Sequence, residues 1–429
     1  VKGRERPAAL ALAGAVLALS AGPSSRAASD ADFTRYVALG DGLTAGFVNG
    51  NLFDGTRADP PTRLGQRESY AVRLAEAYGA PVVLPLVTEN GLPILQYHTL
   101  ERKAGVCAIN LKPKDVPYTV NDGTGARADP SARATVVAVP GQSLAAAIGT
   151  KWSVDPSDPR TLNSALDYVL GEPWASEGAP PRSQLETAVA LAPTFATVWF
   201  GVDEALAAVA GGSDAGMTSE ADFRDRIERV VGDLAAAGAR GAVATVPDVT
   251  VLPYFMPQPT LRRLIQSTVS YKVKDVGLFI LFGLRRKSYL VFEQNHLSHI
   301  AAISDGSTRA PLYDGEVLTP REALRVRRRI RLWNRAVVAT AARHGWAVAD
   351  VAAQFESWRR KGVDVGDAHL TNGFFGGLFD LTGKSLSPTA QALVARTFAA
   401  AIDAKYGATH APIDAAAVLA GDPLAPCAK

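Results

Sequence analysis

Four short runs in this 429-residue chain place polar residues or glycine directly after an apolar stretch, where a strand ends and a turn begins. They are "GDGLTAG" (40–46), "VPGQS" (139–143), "FGVDEAL" (200–206) and "FDLTGKSLSP" (379–388). A strand-to-helix turn is where many hydrolases hold a serine nucleophile, because it lifts the side chain clear of the sheet. Here the apex residue is Gly42, which keeps a backbone N–H but has no atom to attack a carbonyl. Asp41, Asp203 and Glu204 form an acidic group at the same turns, suited either to a cation or sugar hydroxyls or to capping helix N-termini, and capping is the expectation. Lys384 beside Ser385 raises a Ser-Lys pair, but adjacent side chains project apart. Thr44, two residues past the apex, turns into the helix. Asp367 and His369 in "DAHL" read as a loop salt bridge. His296 and His299 share i, i+3 spacing without a third ligand, so a packing or surface pair is expected and no metal or cofactor is implied.

The elements that must carry these turns are visible in the pattern. Five short runs, β-branched or alanine-rich, punctuate the chain: "YVAL" (36–39), "TVVAV" (135–139), "TFATVWF" (194–200), "GAVATV" (241–246) and "WAVAD" (346–350). Helical periodicity fills the intervals, as in 68–79, 220–238 and 387–407. Strands alternating with helices predict an α/β fold, a parallel sheet covered on both faces. Such a sheet binds ligands at the carboxyl ends of its strands, where the four runs fall.

Read together, those runs resemble the four blocks of the SGNH, or GDSL, ester hydrolases, from about Tyr36 to Tyr406. The large exported members share stretches like "VPDVTVLPYF" (246–255) and "AIDAKYG" (401–407). The resemblance implies a three-layer α/β/α sandwich with a five-stranded parallel sheet of flavodoxin-like order. It also implies a serine nucleophile at position 42, oxyanion donors from the backbone of Gly42 and Gly141, an Asn donor at 203, and an Asp and a His at 382 and 385. The chain instead has Gly42, Asp203, Thr382 and Ser385. Asp203 replaces a donor with an acceptor, and Ser385 is no general base near neutral pH. The expectation is a catalytically inactive SGNH-fold protein that binds an acylated glycan, a lipid or a protein partner through the vestigial cleft. The alternatives are an ester hydrolase using rewired residues and a structural subunit that uses the fold for docking. Reverting all four positions together is the matching design for recovering weak esterase activity.

Composition narrows the classes. A hydrophobic content of 47% with 20% charge is globular. Lys2, Arg4 and Arg6 precede the apolar run "AALALAGAVLALSAG" (8–22), and "SSRAAS" offers cleavage after Ala27 or Ala28, so 1–28 reads as a signal peptide and the protein as exported, periplasmic or extracellular. Residues 1–28 carry the whole formal excess of +3, which leaves 29–429 near neutrality and removes the electrostatic support for nucleic-acid binding. The two cysteines, Cys107 and Cys427, suit an oxidising compartment; paired, they would stabilise by about 4–5 kcal/mol in a chain-entropy treatment, and two free thiols are the alternative.

Residues 29–429 read as one domain with insertions around 82–130 and 254–320. Within the second, the apolar 276–284 segment is too short to cross a bilayer and is expected to be buried, a peripheral lipid contact being the other reading. In "REALRVRRRIRLWNRAVVATAARHG" (321–345), Ala323, Val326, Ile330, Trp333, Val337 and Ala341 mark an inward face. Arg325, Arg327, Arg328, Arg329, Arg331 and Arg335 fall mostly on the solvated side, with a polyanion site as the alternative.

Overall fold

The computed structural model describes residues 30–52, 64–87, 127–129, 131–152, 165–170, 180–262, 282–304 and 306–426. Residues 1–29, Cys107, Cys427 and 276–281 lie outside the described residues, and with them the signal peptide, the cysteine pair and most of the apolar segment. Its last residues, Phe282 and Leu284, are buried.

In chain order the strands are β1 (Tyr36–Gly40), β2 (Val136–Ala138), β3 (Phe195–Trp199), β4 (Arg240–Ala244), β5 (Phe255–Pro257), β6 (Tyr289–Val291), β7 (Val317–Leu318), β8 (Ala347–Ala349), β9 (Val363–Val365) and β10 (Ala368–Leu370). Five of them form one sheet in the order β2-β1-β3-β4-β8, and every pairing is parallel. Each of the five apolar runs supplies one strand. The expected order, in which the chain starts inside the sheet and winds outward both ways, is compatible with a flavodoxin-like three-layer fold. The central strands β1 and β3 are buried along their whole length, which is why their sequences run apolar without alternation.

Helices Pro320–His344 and Glu220–Ala236 pack against each other, with Trp333 stacked on Phe223 at 4.4 Å between ring centroids. The inward face expected of 321–345 is the buried one. Helix Pro388–Tyr406 is buried along much of its length and stacks Phe398 on Tyr70 of helix Tyr70–Tyr78, 4.6 Å apart. Within 254–320, antiparallel strands β5, β6 and β7 form a second sheet, and Met256, Leu261, Phe282, Leu284, Leu290, Ile300, Ile303 and Leu312 make a small separate core. β9 and β10 make a hairpin in which His369 Nδ1 lies 2.7 Å from Asp364, so the pair at this loop uses Asp364 rather than Asp367.

Candidate functional site

At the end of β1 the chain turns at Asp41 and begins the four-residue helix Gly42–Ala45. The turn is buried and tied on several sides. Asp41 Oδ1 accepts the N–H of Leu43 at 3.2 Å, and Oδ2 accepts those of Val202 and Asp203 at 3.2 Å each. One carboxylate thus caps two helices, the elbow's own and Val202–Val209 after β3. Gln391, from helix Pro388–Tyr406, donates to the Leu43 carbonyl at 2.9 Å and accepts from the Tyr70 N–H at 2.9 Å, fastening the elbow from the far side. Thr44 is fully buried with its hydroxyl 3.3 Å from that of Tyr70, which removes it as a nucleophile.

The two N–H groups expected to cradle an oxyanion do converge, and the cradle is full. Gly42 N–H and Gly141 N–H both donate, at 2.8 Å each, to one oxygen, Oδ2 of Asp203. A positive φ of 78° at Gly141 helps to aim its N–H inward. The Asn position of the resemblance therefore carries not a third donor but the anion itself. Gly42 is part of the same arrangement: a Cβ built on it would lie 2.9 Å from Asp203 Oδ2 and 3.4 Å from Phe47 Cβ. The absence of a side chain at 42 and the carboxylate at 203 are sterically linked.

Burial raises the Asp41 carboxyl well above the ordinary range, and the charge of Asp203 adds to this. Burial also raises Asp203, opposed by the N–H groups of Gly141 and Gly42 and by the Lys384 cation. Because both folded values lie above the unfolded one, the stability these groups contribute is present in acid and is lost as pH rises from about 4 through the folded values. Asp203→Asn removes one titration and relieves the other. The urea midpoint of the native protein should therefore fall more steeply between pH 4 and 8 than that of Asp203→Asn; parallel profiles would contradict the shared burial.

Glu204, also in the acidic group, is buried; its Oε2 accepts the Leu144 N–H at 3.0 Å at the start of helix Leu144–Gly149, and its other oxygen takes the Thr218 hydroxyl. Asp41 thus ties the elbow to the turn after β3 and Glu204 ties helix Val202–Val209 to the start of helix Leu144–Gly149, while Asp203 fills the space between the N–H groups of Gly42 and Gly141.

The last block is organised by a residue outside the motif positions, Asp380. Asp380 is 1% exposed and accepts four hydrogen bonds: Asn49 N–H at 2.6 Å, Thr382 hydroxyl at 2.7 Å, and the N–H groups of Lys384 and Ser385 at 3.2 Å each. Asn49 returns one bond by accepting the Leu381 N–H at 3.0 Å. Thr382 is thereby committed to an internal turn, and Ser385 is buried beside it. An Asp at 382 would set a second carboxylate against Asp380, so the four-position reversion meets an obstacle not visible in the motif. The available signal was the Asp-x-Thr-Gly spelling of 380–383, an Asp that bonds its own backbone downstream.

Lys384 does not pair with Ser385. Its Nζ lies 2.8 Å from Glu293 Oε1 and 4.2 Å from the centre of the Tyr254 ring, whose hydroxyl donates to the same Glu293 oxygen at 2.7 Å. Burial pushes Glu293 up, but its bonds from Lys384 and Tyr254 win and hold it below its usual value. Tyr254 itself is pushed above its ordinary range by burial and by Glu293. The two histidines are used separately: His296 Nδ1 lies 2.7 Å from the Val291 carbonyl, and His299 Nδ1 lies 2.8 Å from Glu316. No group of three or more His, Cys, Asp or Glu side chains suited to a metal ion occurs among the described residues, nor is any helix there long and apolar enough to cross a membrane.

The site as built can hold a negative oxygen, and already does so. Among the described residues it offers no nucleophile at the elbow and no imidazole over it. No protein-family model, curated protein or solved structure matches the chain.

Proposed function

We propose that this chain is an exported, catalytically silent protein built like the SGNH/GDSL ester hydrolases, which acts by binding rather than by turnover. The observation that carries the reading is the placement of Asp203 Oδ2, 2.8 Å from both Gly42 N–H and Gly141 N–H. A carbonyl oxygen approaching this seat meets a carboxylate where an ester hydrolase needs empty donors. Removing a nucleophile or a base alone costs about a millionfold in a serine hydrolase, and among the described residues the elbow has neither. A ligand in the vestigial cleft, such as an acylated glycan or a lipid, would be met by the partly exposed pair Lys384 and Glu293 instead of by the seat. The same filled seat favours a second reading, a structural subunit that uses the fold as a docking surface, because the fold has closed the feature a small acyl ligand would use.

Fluorophosphonate labelling combined with p-nitrophenyl ester hydrolysis tests the absence of chemistry. The expected result is an unlabelled protein with no turnover above buffer. Labelling of one hydroxyl, with a rate that disappears when that residue is changed to alanine, would replace this reading with that of an ester hydrolase using rewired residues.

A further inference from the structure

We propose that the outward face of helix Pro320–His344 is a docking surface for an acidic α-helix of a partner protein. This goes beyond the reading of the elbow and does not depend on it. The 25-residue helix buries one face on the domain and leaves a second, regular stripe in solvent: Leu324, Arg328, Arg331, Arg335, Val338 and Ala342. Their separations alternate four and three residues, the spacing that presents a seam to another helix. Leu324 and Val338 are 60% and 47% exposed, two of the five exposed large hydrophobics among the described residues. They lie fourteen residues apart, about 21 Å along the axis, and bracket the three arginines.

The charges on this helix are treated unequally. Arg325 pairs with Asp214 at 2.6 Å, Arg327 with Asp248 at 3.0 Å, Arg343 with Glu228, and Arg329 donates to the Thr218 carbonyl at 2.8 Å. Arg328, Arg331 and Arg335 are exposed and have no ion pair among the described residues. They border a groove of about 840 Å³ between this helix and the ends of β4 and β8, to which Leu332, Val338, Ala339 and Ala342 contribute apolar side chains. A helix with carboxylates in its central turns and an apolar side chain near each end complements that order of apolar, cationic and apolar sites.

Two other occupants fit less well. A second copy docked by two-fold symmetry would set the arginines against one another. A bilayer would need a continuous apolar face, whereas here charges separate the two apolar ends and Asp350 stands in the groove wall.

The test uses the full chain and two synthetic 21-residue helical peptides. One carries leucine at each end and glutamate at the centre of one face; its twin has lysine for each glutamate. Fluorescence anisotropy should show binding of the glutamate peptide, weakened about tenfold or more between 50 and 500 mM salt. Arg331→Glu/Arg335→Glu should lose at least tenfold for the glutamate peptide and gain the lysine peptide, with an unchanged urea midpoint. Leu324→Ala/Val338→Ala should weaken the glutamate peptide without altering its salt dependence. No binding of the glutamate peptide, or binding indifferent to both double substitutions, would overturn the proposal. So would binding to phosphatidylglycerol vesicles, lost in Arg331→Glu/Arg335→Glu, in place of peptide binding.

Discussion

Asp380→Ala should be the most damaging single substitution at the carboxyl edge of the sheet, lowering stability by about 3–5 kcal/mol. The side chain is 1% exposed and gathers four donors from two distant parts of the chain, Asn49 after the elbow and residues 382–385 before helix Pro388–Tyr406. Truncation leaves the N–H groups of Asn49 and Ser385 and the Thr382 hydroxyl without their acceptor in a place water does not readily reach, and leaves the Lys384 N–H only Thr382 Oγ1, at 3.2 Å. Burial raises this carboxyl even though its hydrogen bonds pull the other way, so the network stabilises a group that resists ionising. Asp380→Asn keeps the shape but sets amide hydrogens against one of the donor sets, and should fall between alanine and native. Urea denaturation of the three proteins checks the order. A loss below about 1 kcal/mol in Asp380→Ala would mean that the two blocks are held together by something else.

The second large effect is a change of sign. Gly42→Ser in the native protein should destabilise by about 1–3 kcal/mol, because its Cβ would enter at 2.9 Å from an oxygen already held by two N–H groups. In the Asp203→Ala background the obstruction is gone. There, serine at the first position of a helix has only its ordinary propensity advantage over glycine, a few tenths of a kcal/mol. The same substitution should then be neutral or mildly stabilising. The double-mutant cycle should return a coupling of about 1–3 kcal/mol, read from urea midpoints. Additive effects would show that Gly42 and Asp203 are not sterically coupled.

The sheet was legible because its five strands are short apolar runs closed by Gly, Pro or Asp, and all five fall where the pattern put them. The long arginine-rich helix was legible as well, since Val326, Ile330, Trp333 and Val337 repeat at helical spacing. Within the site, the resemblance implied that the N–H groups of Gly42 and Gly141 serve one oxygen, but nothing in the sequence said that the oxygen between them belongs to Asp203. That depends on side-chain direction across 161 residues between positions 42 and 203, and one-dimensional spacing carries no such information. The role of Asp380 is hidden for a related reason: the resemblance assigns chemistry to positions 382 and 385, while the acid that organises the loop stands two residues before 382. The division of labour among the arginines was equally hidden, because Asp214, Asp248 and Glu228 come from three other elements.

An internal carboxylate, that of Asp203, occupies the seat between the N–H groups of Gly42 and Gly141. Calorimetric titration with acetate, on the native protein and on Asp203→Ala, tests it most directly. Acetate offers the same oxygen on a free molecule, so Asp203→Ala should bind it in the millimolar range. At 100 mM acetate and a Kd near 10 mM, its unfolding free energy should rise by about 1.4 kcal/mol. The native protein should show no such binding. Equal acetate binding by the two proteins, or none by Asp203→Ala, would contradict the account.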